Sequence, residues 1–203
     1  MDFDSIQRQI NLESEIFAAG IVFVLLLILW FNRKRIGILF REWRIQRSLK
    51  SIGSEQIRNL VCPDGLDGHY QLDRLALTDD EILLISYKAY GGNIYCAEQI
   101  AEWTQIVGQK SFKFANPLFE LENQLTALRL ILGNVPLRGY LFFNHSAEFP
   151  KGHPDSVLHP GKIPQRILRA SSSAPRSDIL AAWEQLKTLH QAGAGSAGIR
   201  VKT

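Results

Sequence analysis

Cysteine is scarce in this chain. Cys62 and Cys96 are the only two in 203 residues, no Cys-x-x-Cys pair occurs, and the histidines are not spaced as ligands beside them. That leaves no basis for a disulfide framework or a zinc site, and both thiols read as buried side chains in a reducing compartment. Internal repeats are absent. Positive charge is also missing where a broad nucleic-acid surface would need it. The whole chain carries +3, but residues 51–203 are neutral in sum. The basic excess sits in 32–50, where Arg33, Lys34, Arg35, Arg41, Arg44, Arg47 and Lys50 oppose one acid, Glu42. The basic balance therefore belongs to one segment and not to a domain.

Charge of either sign is absent from residues 16–31, Ile-Phe-Ala-Ala-Gly-Ile-Val-Phe-Val-Leu-Leu-Leu-Ile-Leu-Trp-Phe. As a helix this run spans roughly 24 Å at about 1.5 Å per residue, slightly short of a hydrocarbon core of about 30 Å. Trp30 suits the interface, and Arg33 to Arg35 can snorkel from it. A cleaved signal peptide would need positive charge ahead of the run. Here Asp2, Asp4, Glu13 and Glu15 stand against Arg8. A run that is apolar all round also does not suit a soluble amphipathic helix. The reading is a transmembrane helix over 16–31 behind a short extracytoplasmic tail, 1–15. The positive-inside rule then places 32–203 in the cytoplasm, as a single-pass protein of the inner (plasma) membrane. The basic juxtamembrane helix, 32–52, meets anionic lipid headgroups between Arg33 and Lys50; holding DNA near the membrane is the alternative use of the same charges. Asn144-His-Ser146 matches a glycosylation sequon, which a cytoplasmic domain leaves unused.

Beyond the basic segment, Gly53-Ser-Glu55 reads as the opening of a short helix with Ile57 and Leu60 on one side, broken by the turn residues of Pro63-Asp-Gly-Leu-Asp-Gly68. Strands are expected over 69–78 and 82–88, with a third piece from Asn93. Asn116-Pro117 predicts a capped helix, with Leu118, Leu121, Leu125, Leu128 and Leu132 at helical spacing and Gly133 as its stop. Residues 137–143 read as a strand and 144–176 as a loop-rich excursion. Ser177 opens a last amphipathic helix to about His190, and the Gly/Ala tail from Ala192 reads as mobile. The order α-β-β-β-α-β-loop-α predicts an α/β domain with a mixed β-sheet flanked by helices. The expected bounds are 53–150 for the domain and 151–203 for a loop-rich extension.

Strand side chains alternate with period two, so Ile82, Leu84, Ser86 and Lys88 share one face, with Ser86 and Lys88 roughly 7 Å apart. Asp73 shares its face with Leu75 and Leu77, where a carboxylate calls for a partner or a metal. The plain reading is an Asp73–Lys88 ion pair within a sheet. The chemical reading is a phosphodiesterase frame, in which carboxylates hold Mg²⁺ and a lysine stabilises developing charge. Ser86 stands where that frame calls for an acid. Glu55 and Glu120 are candidate substitutes, and Glu120 and Gln124 share a helix face one turn apart; for each, an ordinary solvated helix surface is the plain alternative.

Several pieces in order resemble one family. They are Gly53-Ser-Glu55, Leu72-Asp-Arg-Leu75, Leu84-Ile-Ser-Tyr-Lys88, Gly92-Asn-Ile-Tyr95, Glu102-Trp-Thr-Gln105, Ser111-Phe-Lys-Phe114 and Asn116-Pro-Leu118. Over 53–150 the chain resembles a NERD domain, the nuclease-related domain named for its likeness to PD-(D/E)xK nucleases. The resemblance implies a PD-(D/E)xK nuclease-like core and a role in DNA processing. It maps Glu55, Asp73 and Lys88 onto the expected site, with Ser86 where the family usually has Glu or Asp and Glu120 where it often has Gln. Three functions follow as expectations. One is a membrane-tethered Mg²⁺-dependent nuclease using Glu55, Asp73, Ser86, Lys88 and Glu120, with Glu55, Asp73 and Glu120 on the metal. Another is a catalytically silent relative binding nucleic acid or a protein at the membrane. The last is a structural membrane component.

Overall fold

The computed structural model describes residues 43–63, 68–160, 162–168 and 174–197, together with 23, 27, 28, 30–33, 37 and 40. It divides into two compact units, Met1–Arg44 and Ile45–Thr203. In the first, the described positions from 23 to 40 are helical, and the Arg33 guanidinium lies 5.4 Å from the centre of the Trp30 ring. The tail 1–15 and most of the expected span 16–31 fall outside the described residues. Among those described, no helix is long and apolar enough to cross a membrane.

The second unit begins within a helix, α1, over 43–50. Its helical residues stop earlier than expected. Ile52 pairs instead as an isolated β-bridge with Leu168. The segment expected to form a short helix from Gly53 is a strand, β1 (Glu55–Pro63). It pairs antiparallel with β2 (His69–Leu77), which pairs antiparallel with β3 (Ile82–Lys88). The next strands are β4 (Gly92–Tyr95), β5 (Glu102–Val107) and β6 (Lys110–Ala115). Helix α2 (Pro117–Leu132) follows, then β7 (Leu137–Phe143), the short β8 (Ala147–Glu148) and β9 (Val157–Leu158), and last α3 (Ser177–Ala197). The expected single mixed sheet is thus two sheets. One has the order β1-β2-β3-β7-β9 and the other β6-β5-β4-β8. In the first, β3, β7 and β9 run parallel. The expected loop 144–176 carries β8 and β9, and α3 continues through the tail that read as mobile, as far as Ala197.

Alternation along β3 sorts the core. Ile82 and Leu84 enter one apolar cluster with Leu75, Leu77, Leu141 and Phe143, while Leu83 and Ile85 enter a second with Ile45, Leu49 and Ile52. Helix α2 closes the first cluster with Leu121, Leu125, Leu128 and Leu132. Each leucine stabilises by about 1.5–3 kcal/mol, which a helix of this length needs, since in isolation it is marginal. Its start follows the expected chemistry: the Asn116 side chain accepts from Leu118 N, and Gly133 ends it at φ 70°. Helix α3 enters the same cluster through Ile179, Ala182, Trp183 and Leu186. The core therefore draws on residues well past 150.

Candidate functional site

Lys88 ends β3 on the face that α2 covers. Its ammonium meets Glu120 Oε2 at 3.0 Å, with the lysine side chain 17% and the glutamate 55% exposed. Glu120 lies in the first turn of α2, and one turn on, Gln124 Nε2 donates to Glu120 Oε1 at 3.3 Å. Gln124 is buried, and its Oε1 has no hydrogen-bond partner among the described residues. Ser86, the other inward residue of this end of β3, is buried to 4% exposure.

Asp73 occupies the point where β2 and β3 part. Their ladder stops at Arg74–Ile85. The carboxylate takes over from the missing backbone bond, with Oδ2 accepting from Tyr87 N at 2.9 Å and, more weakly, from Ser86 Oγ at 3.4 Å. Asp73 is exposed. The Asp73–Lys88 ion pair read from the spacing does not form: each takes another partner. Next in the chain, Arg74 is buried at 6% exposure. It donates to Gln56 Oε1 at 2.6 Å and Gln46 Oε1 at 3.0 Å, and Gln56 Nε2 in turn donates to Leu49 O and Ile52 O. Burial, with Arg58 adding to it and Asp73 opposing, pushes the guanidinium down to about 10. It stays a cation at neutral pH.

Glu55 lies elsewhere. It pairs with Leu77, four residues along β2 from Asp73, or roughly 13 Å at strand rise. Its carboxylate is held by α3, accepting from Trp183 Nε1 and Lys187 Nζ, each at 2.9 Å. The bond from Lys187, then that from Trp183, holds its pKa below the usual value of 4.5. The structure therefore brings Asp73 and Ser86 together, and Lys88 and Glu120 together, at one end of the sheet, and leaves Glu55 at the other. Gln124, whose helix position beside Glu120 the spacing shows, joins this end as a buried amide.

A Mg²⁺ ion wants several oxygen donors with net negative charge. Ser86 brings no charge, Glu120 is neutralised by Lys88, and Glu55 is committed to α3. Among the described residues no group of three or more His, Cys, Asp or Glu side chains could hold a metal ion. The donor set does not fit a divalent cation as it stands. What it holds is a lysine neutralised by Glu120, a buried hydroxyl and a buried amide, with Asp73 bridging the strands where their ladder ends.

No curated protein and no solved structure matches the chain. The profile of the nuclease-related domain, NERD, matches residues 39–144. That interval runs from before α1 into the residue after β7 and carries Glu55, Asp73, Ser86, Lys88 and Glu120 alike. With more than half of its length under that profile, the chain belongs to the NERD, or nuclease-related domain, family.

Proposed function

We propose that this protein binds nucleic acid through the Lys88 end of its first sheet, that it is held at a membrane by residues 16–31 with its NERD domain in the cytoplasm, and that it lacks metal-dependent cleavage of its own. The observation that carries the reading is position 86. A buried serine leans on Asp73 there and Lys88 neutralises Glu120, so the site lacks the pair of free carboxylates that Mg²⁺-dependent hydrolysis uses. Family membership supports the nucleic-acid part and the PD-(D/E)xK-like ancestry of the core. The apolar run and its flanking charges support the membrane part.

A second reading has its own observation. Glu120 reaches Lys88 at 3.0 Å, so one carboxylate beyond Asp73 already stands at this end of the sheet. If it leaves the lysine, it can serve as the missing acid, and the protein cuts.

Both are tested with the full chain in detergent, labelled single- and double-stranded DNA, and Mg²⁺ or Mn²⁺. The expected result is that the native protein binds without cutting, that Lys88→Ala weakens binding, and that Ser86→Glu gains metal-dependent cleavage. Native cleavage abolished by Lys88→Ala establishes the second reading instead. Failure to bind either DNA overturns both.

A further inference from the structure

The parallel strands of the first sheet all end on one edge. Lys88 is the last residue of β3, Asn144-His145 directly follows β7, and His159 directly follows β9. Asn144 N donates to Lys88 O at 3.2 Å, so the exit from β7 is bonded to the strand end that carries the lysine. Ligands of open sheets bind outside the carboxyl ends of parallel strands. Immediately past this edge lies a cavity of about 570 Å³, lined among others by His145, Glu148, Phe149, His153, His159 and Lys162. That volume falls within the range of small-molecule sites, about 300–1,000 Å³.

The lining is chemically specific. The rings of Phe149 and His153 lie 4.9 Å apart, those of His145 and His159 6.0 Å, each pair edge to face. His159 Nε2 lies 3.3 Å from His145 O, which ties the two strand exits together. Close by, Lys151 Nζ sits 5.8 Å from the centre of the Tyr95 ring. Glu148 is the one acid on the wall, against Lys162 and three imidazoles. A metal is not the occupant this lining suits: among the described residues no group of three or more His, Cys, Asp or Glu side chains could hold one. Aromatic rings interleaved with basic groups are instead the chemistry by which proteins hold single-stranded nucleic acid, base on ring and phosphate on cation.

We propose that this cavity is a nucleotide subsite. Lys162, His145 and His159 face a phosphate, Phe149 and His153 face a base, and a single strand crossing the Lys88 edge has a neighbouring nucleotide seated here. The strand's route rests on the nucleic-acid reading above; the pocket's affinity for a nucleotide does not. It also reconciles a neutral domain with a nucleic-acid ligand, since the contact is local.

The test uses the full chain with two probes besides inorganic phosphate: deoxyadenosine monophosphate, followed through the imidazole carbon–proton NMR signals, and a fluorescein-labelled oligothymidine, followed by anisotropy. The mononucleotide is expected to shift the signals of His145, His153 and His159 in native protein and in Lys88→Ala. Oligothymidine affinity should fall about tenfold in Lys162→Ala and in Phe149→Leu. Lys162 is exposed, so its variant remains informative if Phe149→Leu folds poorly. Unmoved histidines, or variants that bind oligothymidine as the native protein does, overturn the subsite and leave the nucleic-acid reading standing. Shifted histidines without oligothymidine binding keep the pocket and sink that reading. Equal shifts from inorganic phosphate reduce the cavity to an anion site and overturn the nucleotide assignment.

Discussion

Trp183 offers the sharpest test of how this domain is built. It lies on α3, past the residues that the family profile covers, yet it is 1% exposed among Ile179 and Leu186 and donates its indole N–H to Glu55 at 2.9 Å. Trp183→Ala removes the whole ring and should cost about 3–5 kcal/mol. A domain of this size holds only about 5–15 kcal/mol, so the variant sits close to its unfolding threshold. Trp183→Phe keeps most of the apolar contact and loses the N–H. Glu55 is 53% exposed and water replaces the donor, so the loss is about 1 kcal/mol. The gap between the two variants separates packing from the clasp on Glu55. Urea unfolding followed by far-ultraviolet circular dichroism at neutral pH measures both. A Trp183→Ala midpoint equal to the native one would refute the argument, because α3 would then be an appendage and Glu55 would be released for another role.

Other perturbations follow from the same contacts. Because the bonds from Lys187 and Trp183 lower the pKa of Glu55 in the folded state, their stabilisation is fully present above about pH 4.5 and is lost as pH falls through the lowered value. Melting temperatures of native protein and Glu55→Gln between neutral and acid pH should converge at the acid end, and parallel curves would contradict this. Asn116→Ala removes the bond to Leu118 N and strands the carbonyls of Glu98 and Ile100, which its amide reaches at 2.9 and 2.8 Å. A loss of about 2–3 kcal/mol is expected in denaturant titration. At Gly139, an added Cβ would stand 2.8 Å from Leu125 Cδ1 and 2.9 Å from Leu121 Cγ. Gly139→Ala should cost about 1–3 kcal/mol through displacement of α2, read by calorimetry.

The sequence made some elements legible and hid others for definable reasons. The capped helix at Asn116 and the strands at 69 and 82 showed because their periodicity is uninterrupted. Strand β1 was concealed by Asn59, whose φ of 53° breaks the alternation. Its buried residues fall at Ile57, Leu60 and Cys62, so the first two mimic helical spacing. The hairpin of β5 and β6 buries little beyond Trp103 and offers almost no hydrophobic pattern. Its one local signal is the turn glycine, Gly108 at φ 62°. For the site, the shared face of Ser86 and Lys88 followed from strand alternation, and Glu120 arrived where the helix face put it. Glu55 does not, because its position depends on β1, whose first buried residues mimic a helix, and on a helix more than a hundred residues away. The histidines past β7 and β9 fall in a stretch that reads as a loop, since the two-residue strands β8 and β9 leave no pattern.

Arg74 links two things that would otherwise be separate. Through Gln46, and through Gln56 on β1, it is fastened to the helix at the end of the basic segment, and it is also the chain neighbour of the carboxylate that bridges β2 and β3 where they part. Successive strand residues cannot rotate independently. The helix and the strand end beside Asp73 therefore share a single buried fastening, the guanidinium of Arg74.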